Sequence, residues 1–171
     1  DDYGGSIANR MRFALGVIDA VAGEVGIERT GIRFSPNSLS QGVDDPDPQA
    51  LFVALAGELE ARRVPWIELR EPGPESTFGS PSAEPVSPAM RPLYSGRIIL
   101  NSDYVGRTAE ARIEEGIADA IAFGRPYISN PDLVERIRVG APLARADPKT
   151  FYSPGVEGYT DYPKFVEQRA A

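Results

Sequence analysis

The sequence predicts an α/β fold in which helices cover a parallel sheet, in the arrangement of half a (β/α)8 barrel. Segments with helical periodicity alternate with short apolar runs over most of the 171 residues, which is the order of successive βα units. The apolar runs are nearly continuous, as is typical of strands that are buried on both faces. About four such units can be counted, whereas a complete barrel has eight.

The first helix is predicted from an apolar stripe that repeats every three or four positions near the start of the chain. Ser6 precedes the stripe as an N-cap, and Gly26 follows it as a stop signal. The run TGIRFSP at residues 30–36 then predicts a strand that opens into a loop at Ser35–Pro36. The residues of the stripe are Ile7, Met11, Leu15, Ile18, Ala22 and Val25.

A second helix is predicted from Asp47–Pro48 to about Arg63, because an acidic cap is followed by a proline that the first helical turn tolerates. The run PWIELREP at residues 65–72 predicts the second strand. Residues 71–92 contain six prolines together with several serines and glycines. This Pro/Ser-rich segment is too long and irregular for an ordinary connection, so it is predicted to be a functional or mobile loop.

The third and fourth strands are predicted in the runs GRIILNSDY, residues 96–104, and ADAIAFG, residues 118–124. A short helix over Thr108–Ile117 is expected between them, since it carries two isoleucines on one face. With this pair the predicted sheet has four strands. The chain is predicted to form one domain, with no second domain.

The last predicted helix is NPDLVERIRVG, residues 130–140. Asn130 serves as its N-cap, Pro131 takes the first helical position, and Gly140 terminates it. From Ala141 onward the chain contains aromatic residues but no clear period, so no further element is predicted there.

Two architectures are compatible with this order of elements. A doubly wound open sheet usually carries a glycine-rich turn after its first strand, and GIRFSPN at residues 31–37 is not such a turn. A barrel instead places ligand-binding groups at the carboxyl ends of several strands. The barrel is therefore preferred, because charged, polar or glycine residues stand at each of these ends. They are Arg33, Glu71, Asn101 with Ser102, and Gly124 with Arg125.

The composition excludes several classes of function. The chain has neither histidine nor cysteine, which rules out disulfides, thiolate metal sites and iron–sulfur clusters. A net charge of -7 without any basic run argues against binding nucleic acid. No apolar run approaches the ~20 residues that cross a bilayer, and the charged start Asp1-Asp2 is unlike a signal peptide. We therefore expect a protein of the cytoplasm that contacts neither membrane nor nucleic acid.

Two predicted strand ends carry candidate ligand-binding residues, namely Gly124 with Arg125 at the fourth strand and Arg33 at the first. Gly124 would let its backbone N–H approach a phosphate oxygen, and Arg125 would add a charge-assisted contact. The alternative is that Gly124 only ends the strand and Arg125 pairs with a surface carboxylate. Arg33 must either reach solvent or meet an anion or an electron-rich ring. A structural ion pair between Arg33 and Glu68 or Glu71 is the competing interpretation.

Four segments in register resemble the old yellow enzyme family of FMN-dependent ene-reductases. They are DDYGGSIANRMRF (residues 1–13), GIRFSP (31–36), AFGRPYISNPDL (122–133) and FYSPGVEGYTDYP (151–163). The resemblance extends from Asp1 to about Phe165 and covers the C-terminal half of a family member. It implies strands five to eight of a TIM (β/α)8 barrel.

The resemblance implies that FMN binds without a covalent bond across the carboxyl face of the barrel. NADPH or NADH would supply hydride, and the flavin would pass it to an activated alkene such as an α,β-unsaturated carbonyl or a nitroalkene. Arg33 matches the arginine beside the flavin N1/C2-oxygen edge, where its charge would stabilise reduced flavin. Gly124 and Arg125 match the Gly-Arg pair on the FMN phosphate.

The same resemblance implies three further contacts with FMN around the loop after the third strand. Asn101, Ser102 and Asp103 occupy the other phosphate-binding position, although many relatives carry a glycine-rich stretch where this chain has LNSDY.

Phe151 and Tyr152 match an aromatic pair that lies against the flavin or lines the substrate mouth. Their alternative role is to anchor an otherwise loose tail.

The residues that activate substrate in this family are expected outside this chain. The His/Asn or His/His pair that holds the substrate oxygen and the proton-donating tyrosine belong to the N-terminal half, so no catalytic residue is predicted here. Open strand edges would also favour pairing with that complementary half, supplied as a separate chain, or with a second copy of this chain. The dienoyl-CoA reductase branch of the same barrel family is disfavoured, because its members add an iron–sulfur domain and this chain has no cysteine. The remaining alternative is a non-catalytic half-barrel that self-associates and at most binds flavin or phosphate.

Overall fold

A computed structural model describes residues 1–37, 43, 45–71 and 84–165 of the chain. The chain divides into two compact units, Asp1–Ala122 and Phe123–Ala171, which are called the first unit and the second unit below. None of the helices within the described ranges is long and apolar enough to cross a membrane.

The first unit is built on one sheet of four strands whose spatial order follows the sequence. Each strand is parallel to its neighbour, as predicted from the alternation of strands and helices. The strands are β1 (Ile32–Phe34), β2 (Trp66–Arg70), β3 (Arg97–Asn101) and β4 (Ala120–Ala122). In this register Arg33 lies beside Glu68, and Arg70 lies beside Asn101.

Among the described residues of the first unit, four α-helices accompany the sheet. The helices are α1 (Ile7–Val25), α2 (Pro48–Ala61), α3 (Ser87–Met90) and α4 (Gly106–Glu114). The predicted caps of the two longer helices are confirmed, because the side chains of Ser6 and Asp47 accept hydrogen bonds from the N–H groups of Asn9 and Ala50. The helix that was expected over Thr108–Ile117 begins two residues earlier and ends at Glu114.

The two faces of the sheet differ in burial. Ile67, Leu69, Ile98 and Leu100 alternate along β2 and β3 on one face and are fully buried. The ring of Phe34 packs edge-on against Phe52 of α2 on this side, with 5.7 Å between ring centroids. The residues between them in sequence point to the opposite face, which we call the open face. The open face carries Arg33, Trp66, Glu68, Arg70, Arg97, Ile99 and Asn101, all of them half-buried or exposed.

The end of the proline-rich segment is helical, which differs from the predicted loop over residues 71–92. Residues 72–83 lie outside the described ranges, but α3 and a 3-10 turn over Arg91–Leu93 follow them. Val86 and Met90 are completely buried here. The prediction failed at this point because the two apolar residues are too few to show a helical period.

The second unit has no strand among its described residues and contains two short helices and a 3-10 turn. These are α5 (Arg125–Ser129), α6 (Leu133–Val139) and the turn Pro148–Thr150. The end of α6 at Gly140 is confirmed, since this glycine adopts a left-handed conformation with φ of 67°. The predicted N-cap was wrong: Asn130 ends α5 instead, and Asp132 precedes α6.

Asn130 is a packing residue of the second unit rather than a helix cap. Its side chain is completely buried, and its amide N–H groups donate to the carbonyls of Pro126 at 2.8 Å and Ala144 at 3.1 Å. Its Oδ1 accepts from the N–H of Ala144 at 2.8 Å. The asparagine therefore fastens the chain after α6 to α5, a role that requires a contact 14 residues away in sequence.

Candidate functional site

Arg33 lies on the open face at the carboxyl end of β1, with its side chain half-exposed. Its Nη2 donates to Oδ1 of Asn101 at 3.2 Å, and its Nε lies 3.4 Å from Oε1 of Glu68. The ion pair considered from the sequence therefore exists with Glu68. Glu71 takes no part in it, since its carboxylate is buried among other partners.

Asn101 ties the ends of three strands together. Its Nδ2 donates to the carbonyl of Ala122 on β4 at 2.8 Å, while its Oδ1 accepts from Arg33 on β1. The amide is thus used on both sides within the first unit. Asn101 and Arg33 are two of the predicted site residues, and the structure brings them into contact.

Ser102 and Asp103 form a sharp backbone turn directly after β3. Their φ angles are 134° and 49°, in the region that favours glycine because it has no Cβ. This conformation gives a physical reason for the glycine-rich stretch expected of many relatives at this position. Ser102 is 8% exposed, and its buried Oγ has no hydrogen-bond partner in the described part of the chain.

Glu71 stabilises the chain segment that leads into α3. Its carboxylate accepts from the N–H groups of Val86 at 2.9 Å and Ser87 at 3.1 Å, and from the Ser87 hydroxyl. Burial raises the pKa of Glu71 above its ordinary value, although these hydrogen bonds act in the opposite direction. Its position at a strand end therefore reflects a structural role in the first unit.

Gly124 and Arg125 stand at the start of α5 in the second unit. Arg125 is exposed and is the first residue of the helix. A Cβ on Gly124 would meet no atom of the described residues within 4 Å, and its φ of -98° is accessible to other residues. Packing among the described residues therefore does not require glycine at this position.

Phe151 and Tyr152 follow the 3-10 turn of the second unit. Phe151 is half-buried, whereas Tyr152 is 99% exposed. A side chain so exposed does not anchor the tail, which argues against that alternative for Tyr152. The tail is fastened elsewhere, because the N–H of Phe165 donates to Asp132 at 2.6 Å and Arg136 donates to the carbonyl of Pro163 at 3.0 Å.

Two groups of residues at or near the site were not predicted from the sequence. Arg70 shares the open face with Arg33 and stands beside Asn101 in the register, and the alternation in WIELR would have shown this. In the second unit the buried Arg136 pairs with Asp132 at 2.7 Å. The i,i+4 spacing of this pair was a signal, but spacing alone does not distinguish a buried pair from a surface pair.

The sheet with polar residues at its carboxyl edge defines a parallel α/β protein with a candidate ligand site at the strand ends. The sequence profile of the NADH:flavin oxidoreductase / NADH oxidase family matches residues 1–144. The chain therefore belongs to this family, as the resemblance to the old yellow enzyme implied.

Relatives of known description support the assignment over nearly the whole chain. A probable flavin mononucleotide-dependent alkene reductase of Leishmania infantum is 40% identical over 163 residues, which cover 95% of this chain and 43% of that protein. Enoate reductase 1 of Kluyveromyces lactis is 38% identical over 181 residues, which cover 98% of this chain and 45% of that protein. The chain spans about half the length of the relatives that it matches.

Solved structures give the same picture of the fold. Morphinone reductase in complex with tetrahydroNAD superposes with a TM-score of 0.86 and 43% identity, covering 100% of this chain and 45% of that chain. The old yellow enzyme homologue from Zymomonas mobilis gives a TM-score of 0.90 and 40% identity, covering 95% and 46%. The predicted half of a TIM barrel is confirmed by these matches together with the four-stranded parallel sheet.

Proposed function

We propose that this chain forms the FMN-binding half of an ene-reductase, which uses NADPH or NADH to reduce activated C=C bonds of α,β-unsaturated carbonyls or nitroalkenes. The main observation behind the proposal is the hydrogen bond that Arg33 donates to Asn101 at the carboxyl edge of the sheet. The chain in which this contact occurs belongs to a flavin oxidoreductase family. The alkene reductase and the enoate reductase among the relatives support this substrate class. The complex of morphinone reductase with tetrahydroNAD supports a nicotinamide as hydride donor.

Arg33 is the residue that we expect at the flavin ring. FMN, when bound, supplies the chemistry of accepting a hydride from the nicotinamide and delivering it to the alkene. The guanidinium of Arg33 would stabilise negative charge at the N1/C2-oxygen edge. Its contacts with Glu68 and Asn101 use Nε and Nη2, and a guanidinium has five N–H donors, so these contacts leave others for a ligand.

Ser102 fits a phosphate-binding role for a reason independent of the resemblance. A buried hydroxyl without a partner costs on the order of 1–3 kcal/mol, and the Oγ of Ser102 is such a group among the described residues. A phosphate oxygen would accept a hydrogen bond from this hydroxyl and remove the penalty. The carboxylate of Asp103 would repel phosphate, so we expect a contact through its backbone N–H instead.

The remaining expected FMN contacts belong to the second unit. Gly124 and Arg125 are proposed to bind the phosphate, through a backbone N–H and the guanidinium respectively. Phe151 and Tyr152 are proposed to lie against the flavin or to line the substrate mouth, and the exposure of Tyr152 leaves its ring available for stacking. No residue of the chain is proposed to activate the substrate, because the family places that role in the other half of the barrel.

The surfaces left open by the first unit support a complementary half-barrel as partner. The open face of the sheet carries side chains that are half-buried or exposed. On α1 a row of apolar side chains is also exposed, with Phe13 at 69% and Val17, Val21 and Val25 between 41% and 46%. Such a row is typical of a helix that packs against another element.

The direction of this row agrees with a partner beside the edge of the sheet. Asp19 of α1 pairs with Arg62 after α2 at 2.9 Å, which fixes the side of α1 that faces α2. Val17 and Val21 lie roughly opposite Asp19 around the helix, at about 100° per residue. They therefore face away from α2, where a preceding βα unit of a complete barrel would pack.

The proposal can be tested in a hybrid reductase, in which this chain replaces the segment of morphinone reductase that it matches. The purified hybrid is expected to show a flavin absorption band that bleaches with NADH and returns on addition of 2-cyclohexenone. Unmodified morphinone reductase, purified in parallel, is the positive control. A colourless hybrid that is folded by circular dichroism and gains no band with added FMN would contradict the proposal.

A second candidate function is a non-catalytic half-barrel that self-associates, and the exposed apolar row on α1 favours it. Light scattering of the purified chain, with and without FMN, tests this candidate. A stable dimer that binds FMN but does not oxidise NADH in the presence of 2-cyclohexenone would support it. A monomer that gains activity only with the complementary half would contradict it.

A further inference from the structure

We infer that Asn101 is a positioning residue that orients Arg33 toward the flavin, rather than a contact of the FMN phosphate. The inference rests on the proposed function, since it takes Arg33 as the residue at the flavin ring. It changes the role that the resemblance implied for Asn101, and it follows from three observations: the register of the sheet, the chemistry of the amide, and the charge at the site.

The register brings Asn101 within reach of Arg33 although a strand separates them. Arg33 stands beside Glu68 of β2, and Glu68 stands beside Ile99 of β3. Asn101 follows Ile99 by two residues and therefore shares its face. The arginine extends across β2 toward the carboxyl edge, and its Nη2 reaches Oδ1 of Asn101 at 3.2 Å.

The chemistry of the amide fixes its orientation. A guanidinium can only donate hydrogen bonds and a backbone carbonyl can only accept them. Asn101 therefore has to direct Oδ1 at Arg33 and Nδ2 at the carbonyl of Ala122, as the structure has it. Turning the amide over would oppose two donors on one side and two acceptors on the other. The carbonyl of Ala122 on β4 thus fixes the orientation of the Asn101 amide. The amide in turn fixes the position of Nη2 of the Arg33 guanidinium.

The neutral charge of asparagine is the third observation. Glu68 already places one carboxylate 3.4 Å from Nε of Arg33. An aspartate at position 101 would add a second carboxylate and lose the bond to Ala122, because a carboxylate has no donor. Asparagine orients the guanidinium without offsetting its charge, which is the property needed at an anionic flavin edge.

A direct phosphate contact is a poorer use of this side chain. Oδ1 accepts hydrogen bonds, as phosphate oxygens do, so it cannot bind phosphate. One of the two N–H groups of Nδ2 is already engaged by the Ala122 carbonyl at 2.8 Å, so at most one remains for a ligand. The neighbouring Ser102 has a buried hydroxyl with no hydrogen-bond partner among the described residues, so it is the better candidate for the phosphate.

The test compares the affinities of the hybrid reductase for FMN and for riboflavin, which lacks the phosphate. Asn101→Leu removes both hydrogen bonds at similar volume, and we expect it to weaken both ligands by the same factor, about tenfold. Ser102→Ala is the matched control, expected to weaken FMN and to leave riboflavin unchanged. Loss of FMN affinity alone in Asn101→Leu would overturn the inference, since it would place the amide on the phosphate.

Two further measurements separate positioning from a general effect on the fold. In an Arg33→Ala background, Asn101→Leu should have no additional effect on either affinity, whereas independent, additive losses would contradict the inference. Asn101→Asp should shift the reduction potential of bound FMN to a lower value, because added negative charge destabilises reduced flavin. An unchanged potential in a folded Asn101→Asp variant would overturn the role in charge.

A measurement on the unliganded protein distinguishes failure of this inference from failure of the proposed function. The Nε–H and Nη–H signals of Arg33, observed by NMR in the apo hybrid, should report slow guanidinium rotation that becomes fast in Asn101→Leu and stays slow in Ser102→Ala. If neither flavin binds but this difference is present, the proposed function fails and the positioning role stands. If flavin binds and rotation is the same in all three proteins, the positioning role fails alone.

Discussion

Each of the two units is stabilised internally by a different kind of interaction. In the first unit, the side chains of β2 and β3 form an apolar core in which Ile67, Leu69, Ile98 and Leu100 are fully buried. The described part of the second unit has no strand, and its helices α5 and α6 have only five and seven residues. Helices of this length are not stable alone, so tertiary contacts have to hold them.

Those contacts in the second unit are largely polar. Arg136, 6% exposed, pairs with Asp132 and donates to the carbonyls of Pro142 and Pro163 at 2.9 Å and 3.0 Å. Its guanidinium also lies 5.7 Å from the ring centroid of Phe165. A single arginine thus connects α6 to two later segments. Substitutions should therefore act through packing in the first unit and through hydrogen bonds in the second.

The largest effect is expected from a cavity in the first unit. Ile98→Ala removes a completely buried side chain and should lower the free energy of unfolding by about 2–5 kcal/mol. Ile113→Ala is the matched control, since Ile113 is 46% exposed on α4 and should change the value by less than about 1 kcal/mol. Urea denaturation measures both. Equal losses for the two variants would contradict the location of the core.

The next effect should be confined to the second unit. Arg136→Met removes the charged partner of Asp132 together with two bonds to carbonyls, and should cost about 3 kcal/mol. Hydrogen exchange is expected to show loss of protection within residues 123–165 and unchanged protection on β2 and β3. Arg138→Met is the matched control, because the exposed Arg138 pairs with Glu135 on its own helix. If the two variants behave alike, the central role assigned to Arg136 is wrong.

The pH dependence of the second unit should follow Asp132. The hydrogen bond from Arg136, followed by that from the N–H of Phe165, holds the pKa of Asp132 below its usual range. The contribution to stability is therefore fully present above the ordinary aspartate value of about 3.9 and is lost as the pH falls through the lowered pKa. Hydrogen exchange of α6 between pH 5 and pH 3 measures this loss. In Asp132→Asn the same decrease should be absent.

The smallest effect, of opposite sign, is expected from Glu71 in the first unit. Burial raises the pKa of Glu71, so the folded state binds a proton more readily than the unfolded state. Ionisation of Glu71 therefore costs stability at neutral pH relative to the protonated form, and this cost is removed as the pH falls through the raised pKa toward the ordinary value of about 4.3. Urea denaturation at pH 7 and pH 5, compared with Glu71→Gln, checks the sign. A stability that decreases over this interval only in the native protein would contradict it.

Local signals in the sequence predicted α1, α2 and α4 of the first unit, but not α3. The cap at Ser6, the cap at Asp47 and the stop at Gly26 all involve residues within one turn of a helix end. The parallel sheet was equally accessible, because continuous apolar runs between helices leave few other arrangements. The order of the strands depended instead on the preference for a barrel over a doubly wound sheet, which rested on the residues at the strand ends.

The parts that could not be predicted depend on contacts between residues far apart in sequence. Asn130 carries every local sign of an N-cap, but its partner Ala144 lies 14 residues away and only the folded chain brings it near. Arg33 and Asn101 are 68 residues apart. Their roles as separate candidates were readable from the strand ends, whereas their contact depends on the register of three strands.

The proposed contacts of Arg33 and Arg125 with FMN can be tested by measuring the dissociation constant of FMN in the hybrid reductase and its arginine variants. Arg33→Ala and Arg125→Ala are each expected to weaken FMN binding by at least about tenfold, since each removes a charge-assisted contact. Arg138→Ala, a surface arginine of the second unit, should leave the constant unchanged. Equal FMN affinity in all of these proteins would contradict the claim that this chain carries the flavin-binding residues.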